Sequence, residues 1–326
     1  MSKVAHIEIA AKDDGLRLDK WFKESYPGLG FGKLQKLLRT GQIRLDGKRV
    51  KASTRLEAGQ VLRVPPIGDA SSPLSNDKPQ NPQHVAAIRD LILHEDEAVM
   101  VLNKPSGLAV QGGSKTAVHI DGMLASFEFY GERPKLVHRL DRDTSGLLLI
   151  AKSRKAASKL GAVFRTRSAR KIYWALTTSV PRPHQGEISC FLAKRPSSMG
   201  EIVHVVGQGD EGAQHSHSYY SVIEQAGQKC AWVSLKPVTG RTHQLRVHMA
   251  ELGTPIIGDP KYGDLQEEQK VHGLVDKLHL HARRLVIPHP DGGTLDLTAP
   301  LPSHMEKSFK SLGFDPHRYD KDSDAL

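Results

Sequence analysis

Nine consecutive residues, His138-Arg139-Leu140-Asp141-Arg142-Asp143-Thr144-Ser145-Gly146, run directly into the apolar stretch Leu147-Leu148-Leu149-Ile150-Ala151. A carboxylate thus stands between arginines at the edge of a segment that reads as a fully buried strand. Soluble domains keep such charges in water, because an unpaired ion in a low-dielectric place costs several kcal/mol. The cluster therefore has two readings. One is a solvated turn in which Asp143 and Thr144 cap backbone groups. The other is a shielded site whose chemistry needs an ionised carboxylate beside fixed cations, although structural ion-pair networks can imitate such a site.

Three further segments concentrate charge and aromatic character: Asn103-Lys104-Pro105-Ser106-Gly107-Leu108, Arg170-Lys171-Ile172-Tyr173-Trp174-Ala175-Leu176, and Pro237-Val238-Thr239-Gly240-Arg241-Thr242-His243-Gln244-Leu245-Arg246-Val247-His248. The last begins on a glycine turn and enters a helix with Leu245, Met249 and Leu252 on one face, closed by Gly253. Arg241 sits at that turn, where its side chain can point into a cleft. Other strings mislead. Gly207-Gln208-Gly209-Asp210-Glu211-Gly212 matches G-x-G-x-x-G, yet strand-like alternation follows it and its acids repel a pyrophosphate, so a hairpin loop is expected. His138-Arg139-Leu140-Asp141 has the wrong order for a kinase loop. The 17 histidines lack HExxH or CxxC company, so core hydrogen bonds or RNA contacts are expected and no metal site is.

These residues need elements to position them. Leu16, Leu18, Trp21, Phe22 and Tyr26 keep helical spacing, and Phe31, Leu34, Leu37 and Leu38 repeat it after Pro27-Gly28, with Gly41 as the stop. Ile43-Arg44-Leu45 and Arg49-Val50 flank Asp46-Gly47, a strong hairpin signal, and Val61 to Val64 follows. Residues 67–88 are rich in Pro, Ser, Asn and Asp and read as a linker. Strand-like runs then recur at 91–93, 99–102, 147–151, 173–177, 202–206, 219–223 and 231–235, with helical patterns near 118–129, 154–164 and 242–252. The mixture predicts an α+β domain over 89–312 with a mixed, largely antiparallel sheet. Residues 313–326 are charged and aperiodic, a frayed tail.

Composition narrows the function classes. The chain has 326 residues, 38% hydrophobic and 25% charged, with net charge +10. No apolar run nears the ~20 residues of a membrane span, and the N-terminus lacks a signal core, so a cytoplasmic protein without membrane partner is expected. Cys190 and Cys230 lack paired spacing. Residues 1–66 hold 14 Lys and Arg against 7 Asp and Glu, which is most of the surplus. Lys33, Lys36, Arg39, Arg44, Lys48 and Arg49 fall on or near one helix and its hairpin, a basic face that fits RNA phosphate. This 1–66 pattern resembles the S-four RNA-binding domain.

The four charged segments in order, with Leu252-Gly253-Thr254-Pro255-Ile256-Ile257-Gly258-Asp259-Pro260-Lys261-Tyr262-Gly263 and Leu278-His279-Leu280-His281-Ala282, closely resemble the RluA/RluC/RluD family of RNA pseudouridine synthases. Gln111-Gly112-Gly113-Ser114 and the wording of the opening motif are most similar to its RluC branch, although Gln111 stands where relatives often carry histidine. The resemblance implies isomerisation of uridine to pseudouridine in RNA, large-subunit ribosomal RNA above all, with no cofactor, no metal and no obligatory protein partner, by a monomer. It implies that Asp141 is the catalytic group, as nucleophile at carbon 1′ or base at carbon 2′ of the ribose, and that Arg241 is its cationic partner. Tyr173 then stacks on the base and assists deprotonation of carbon 5, while Arg139 enters the stack that the flipped uridine leaves. Leu280, with Leu278 as the alternative, packs on the other face of the uracil. Lys171, His138 and Thr144 complete the substrate-binding set.

Overall fold

A computed structural model describes the chain except residues 1–3, 27, 68–80, 113–115, 117, 130, 198–199, 264–272 and 320–326. The chain divides into two compact units, residues 1–79 and 80–326. Gly113 and Ser114, most of the expected linker and the end of the expected tail lie outside the described residues.

The first unit contains β1 (Ala5–Glu8), α1 (Leu18–Ser25), α2 (Phe31–Arg39), β2 (Arg44–Leu45), β3 (Lys48–Arg49) and β4 (Val61–Val64). Its four-stranded sheet has the order β1-β4-β2-β3. Leu18, Trp21 and Phe22 of α1 and Leu34 and Leu38 of α2 bury their stripes against Leu45, Leu62 and Val64, so the helical spacing read from sequence is the spacing of the core. Asp46 and Gly47 both take positive φ, 48° and 76°, as a two-residue hairpin turn requires. The strand β1 went unread in the sequence although Ala5-His6-Ile7-Glu8 alternates, and pairing with β4 orders it.

The second unit contains α3 (Pro82–Arg89), β5 (Ile92–Glu95), β6 (Val99–Lys104), α4 (Ile120–Met123), β7 (Lys135–Leu136), β8 (Ser145–Ala151), α5 (Arg154–Arg165), β9 (Arg170–Thr177), β10 (Gln185–Ser197), β11 (Gly200–Val206), β12 (Gln214–Ala226), β13 (Cys230–Pro237), α6 (Gln244–Glu251), β14 (Leu280–Pro288), β15 (Thr294–Thr298) and α7 (Ser303–Leu312). Eleven strands form one sheet in the order β11-β10-β12-β13-β9-β14-β8-β6-β5, with β15 on β14 and β7 on β8. The pairing of β14 with β8 is parallel and the others described are antiparallel, which is the mixed, largely antiparallel α+β sheet expected. Helices cover both faces. On β13, Val233 and Leu235 pack towards Leu245 and Met249 of α6, while Trp232 points oppositely to Met305 and Phe309 of α7, the two-residue alternation of a strand. The strand β8 is buried on both faces, by α5 around Leu147 and Leu149 and by α4 around Leu148 and Ile150.

Three expectations need correction. The linker does not extend to residue 88: Asn81 accepts a hydrogen bond from the Gln83 amide at 3.0 Å, Pro82 opens α3, and Ile88 is fully buried. A capping Asn followed by proline is a helix start inside a Pro-rich stretch. The tail is not frayed throughout, since Phe314 is buried and the Tyr319 ring lies 5.2 Å from Trp232. The loop at 207–212 does join two strands, but β11 and β12 flank β10 and do not pair with each other.

Several of the buried histidines prove to be core hydrogen-bonding groups. His281 lies 2.9 Å from the Ser145 hydroxyl, His279 is 2.8 Å from that of Ser308, and His248 is 2.8 Å from that of Ser216. His138 accepts the Leu149 amide at 2.9 Å. Burial is the main cause that lowers their pKa values, to about 3 for His138 and His281 and about 4 for His248 and His279. Each is neutral when folded and ready to bind a proton once unfolded, so below about pH 6.5 the unfolded state holds more protons and stability falls with pH. Each imidazole contributes a slope of up to about 1.4 kcal/mol per pH unit between about pH 6.5 and its folded value. Urea midpoints should therefore drop steeply from pH 6.5 to 4.5. Replacing His279 with Gln should flatten that drop; an unchanged slope would show that this imidazole is not held neutral.

Candidate active site

The eight residues expected at the site, His138, Arg139, Asp141, Thr144, Lys171, Tyr173, Arg241 and Leu280, all line one cavity of about 440 Å³. They reach it from separate elements. The loop before β8 supplies His138 to Thr144. The strand β9 supplies Lys171 and Tyr173, two residues apart and so on one face. Leu280 starts β14, and Arg241 lies in the turn before α6. Phe164, Arg165 and Arg167 join them from the end of α5 and its following turn.

Two devices fix the Asp141 loop. The Lys104 ammonium, fully buried, donates to the carbonyls of Pro105, Leu108 and Arg142 at 2.8, 2.9 and 2.8 Å. The Ser106 hydroxyl donates to the Asp143 carbonyl at 2.8 Å. At the other end, Gly146 has φ 105° and pairs with Ala282 across the parallel β14–β8 contact. A Cβ there would lie 2.3 Å from the Ala282 carbonyl oxygen, so only glycine lets the two backbones meet. The loop and the start of β14, where Leu280 stands, are thereby held in register. The alternative, Leu278, is buried but is not part of the cavity wall.

The turn before α6 is organised by Gln244. Its Oε1 accepts from the Thr239 hydroxyl at 2.6 Å and the Arg241 amide at 3.0 Å, and its Nε2 donates to the His217 carbonyl at 2.9 Å and the Ser218 hydroxyl at 2.8 Å. All four capacities of a buried amide are met. That is why a buried Gln is accommodated at the start of α6.

The cationic partner of Asp141 is Arg246, a correction to the expectation for Arg241. Arg241 is exposed, and its Nε donates to the His215 carbonyl at 3.0 Å. Arg246 lies one turn into α6 with its side chain 3% exposed, and its Nη1 stands 3.9 Å from Asp141 Oδ2. Its Nε and Nη2 form a bidentate pair with Asp259 at 2.7 and 2.6 Å. Asp259 is fully buried, and its Oδ1 also accepts the amides of Lys261 and Tyr262 at 2.9 and 3.1 Å. The resemblance gave that role to Arg241 of Gly240-Arg241-Thr242-His243-Gln244. It missed that Asp259, within a Gly-Asp-Pro segment, supplies the carboxylate that lets an arginine be buried.

Burial raises the Asp141 pKa above the usual carboxylate value and Asp259 adds to that rise, while Arg246, Arg139 and Lys104 oppose it. The Asp141 side chain is still 19% exposed, so it faces the cavity, which Arg139 and Arg246 also line. The ionised form thus depends on those neighbours. Burial first and the Asp141 charge second push the Tyr173 phenol far up, so it stays protonated at neutral pH. Its ring can stack on a base. Burial, reinforced by Arg167, lowers the Lys171 pKa. His138 lies with its ring 4.9 Å from Phe164 and is committed to the Leu149 amide, which makes it a wall. In the first unit, Lys33, Lys36, Arg39, Arg44, Lys48 and Arg49 are all exposed. A Cβ on Gly41 would lie 3.0 Å from the Arg49 side chain, so that guanidinium rests against the end of α2.

Replacing Arg246 with Lys should keep a charge near Asp141 but break the fork on Asp259. A weaker cation leaves the Asp141 pKa higher, so the acid limb of the kcat/KM profile should move to higher pH by up to about one unit. Arg246→Met should destabilise the fold by about 3–5 kcal/mol in urea titrations, because Asp259 is left buried and unpaired. An acid limb that stays in place in both variants would exclude Arg246 as the group that tunes Asp141.

Residues 98–251 match the family model described as RNA pseudouridylate synthase. The chain is 37% identical over 316 residues to "Ribosomal large subunit pseudouridine synthase C" of Haemophilus influenzae, covering 95% of this chain and 96% of that one. It is 35% identical over 310 residues to the protein of the same name from Escherichia coli K12, covering 94% and 96%. Among solved structures, "Human RNA Pseudouridylate Synthase Domain Containing 4" is 31% identical with a TM-score of 0.60 and covers 72% of this chain and 98% of that one. With Asp141 facing a cavity built from the segments that carried the resemblance, and with relatives of this identity along nearly its whole length, the chain belongs to the RNA pseudouridine synthase family.

Proposed function

We propose that this enzyme isomerises uridines of large-subunit ribosomal RNA, with Asp141 as the catalytic group. The carrying observation is that Asp141 is partly exposed in a 440 Å³ cavity while Arg246 stands 3.9 Å away. A protein that only bound RNA would have no use for a carboxylate aimed at a phosphate chain. In the reaction the bond from nitrogen 1 to carbon 1′ breaks, the uracil turns, and carbon 5 bonds to carbon 1′ while its proton leaves and nitrogen 1 regains one. Atoms balance, so residues that hold the base and the sugar suffice. Asp141 acts at the ribose, Tyr173 and Leu280 bracket the uracil, and Arg139, exposed at the rim, takes the place that the flipped base leaves, which offsets a few kcal/mol of unstacking. Arg165, Arg167 and Lys171 give the wall a positive charge suited to the strand that enters. The 1–66 segment, read as an S-four RNA-binding domain, holds the substrate through the exposed cations Lys33, Lys36, Arg39, Arg44, Lys48 and Arg49. The names of the relatives support the choice of ribosomal RNA.

Tritium release from a large-subunit ribosomal RNA transcript labelled at carbon 5 of uridine tests the reading. Asp141→Asn should reduce release by more than about a thousandfold while leaving the melting temperature near that of the wild type; undiminished release removes Asp141 from its role. Neutralising Lys36 and Arg39 together should weaken binding of the same transcript and lower the slope of log K against log salt by about two. An unchanged slope would show that these two side chains do not meet phosphate.

A further inference from the structure

His243 is the last residue before α6 and a non-glycine residue in left-handed conformation, φ 54° and ψ 15°. Such strain persists only where the surroundings enforce it, and it is frequent at functional walls. His243 lines the same cavity as Asp141, and neither the chemistry above nor the sequence motifs gave it a task. What enforces its position is Tyr262. The Tyr262 hydroxyl oxygen accepts the Val203 amide proton at 3.0 Å and lies 2.8 Å from His243 Nδ1.

A phenol has one proton to give. With Val203 donating to its oxygen, Tyr262 finds a partner for its own proton in His243 Nδ1, which must then be the unprotonated ring nitrogen. The ring proton is left on Nε2. The tyrosine is itself anchored, because its amide donates to Asp259 and the Arg246 guanidinium lies 5.2 Å from its ring centroid. Asp259, Arg246, Tyr262 and His243 therefore form one braced unit. Burial lowers the His243 pKa to about 3, with Arg246, Lys261 and Arg139 adding repulsion and Asp259 opposing them, so the ring is neutral throughout the working range. Among the described residues no hydrogen bond is made by Nε2.

We propose that His243 binds the target nucleotide as a neutral hydrogen-bond donor through Nε2, and that Tyr262 sets the tautomer that makes this possible. The acceptor is an oxygen of the flipped uridine, either a uracil carbonyl or its phosphate. The proposal rests on the pseudouridine-forming reading of the cavity. A neutral donor suits this wall: an imidazolium would compete with Arg246 for the charge of Asp141, whereas a neutral N–H orients the nucleotide and leaves that carboxylate alone.

Two amide substitutions separate this role from a structural one. His243→Asn tolerates the left-handed backbone well and puts its amide where Nδ1 was, within reach of Tyr262 and short of the nucleotide. His243→Gln tolerates that backbone less well but carries a donor to the Nε2 position. With the labelled ribosomal transcript, His243→Gln should keep kcat/KM within about threefold of wild type despite a lower melting temperature. His243→Asn and His243→Ala should lose about tenfold, as for one lost hydrogen bond. Tyr262→Phe should cost less in the Gln background than in the wild type, since an amide has no tautomer to set. Transcripts made with 2-thiouridine, 4-thiouridine or α-thio-UTP locate the acceptor: the modification that brings wild type down to the level of His243→Ala marks the carbonyl or the phosphate. Losses that follow melting temperature in the order Gln worse than Asn, or a difference between wild type and His243→Ala that survives all three modifications, would overturn the proposal. Absence of tritium release by wild type would instead overturn the underlying reading of the cavity.

Discussion

One guanidinium governs this active site. Arg246 is shared between a carboxylate it satisfies completely, Asp259, and one it only approaches, Asp141. The inequality matters. A bidentate pair with Asp141 would leave its oxygens occupied, while no cation at all would leave a carboxyl that burial protonates. Asp259 takes up the two nitrogens that form the fork and so fixes the third at a distance where it lends charge without closing a bond. The segment after α6 is therefore as much part of the site as the loop that carries Asp141, although only the latter touches the cavity.

The rest of the second unit can be understood as what holds those two carboxylates on opposite sides of one arginine. The strand β8 brings the Asp141 loop beside β14 in the interior of the sheet, α6 carries Arg246 over the face of β13, and Gln244 pins the start of that helix to β12. Lys104 ties the loop down by three carbonyls. None of these contacts is strong alone; each protein hydrogen bond contributes on the order of 1 kcal/mol. Together they remove the freedom that a charged loop would otherwise use to reach water, and a loop in water would lose the interaction with Arg246.

Much of this was legible in the sequence, for reasons that differ by element. The two helices of the first unit show themselves by a repeated apolar stripe, and its hairpin by Asp46-Gly47. The strand β8 shows itself as an apolar run because both of its faces are covered. By contrast β14 went unread as a strand although Leu280 and Ala282 alternate with His281 and Arg283: the polar members of the alternation are buried too, His281 against the Ser145 hydroxyl, so the strand lies inside the sheet and not at a wet face. The helix α3 hides in proline-rich sequence until its cap is seen. Among site residues, the motif order brought eight to one cavity, yet it assigned the ion pair to the wrong arginine. Spacing along a chain says which residues share an element and is silent on which carboxylate, 13 positions away for Asp259 and about a hundred for Asp141, will face them.

The parallel contact between β14 and β8 has a kinetic meaning. Ser145 and His281, joined by a hydrogen bond, are 136 residues apart in the chain, and contacts of such separation form late, after the entropy of closing a long loop has been met. Up to that point a growing chain possesses its Asp141 loop but neither the strand that seats it nor the leucine that walls the pocket. The catalytic cavity is thus a property of the completed sheet, and a chain released or truncated before residue 280 carries every motif on which its chemistry depends except the one that shapes the place where it happens.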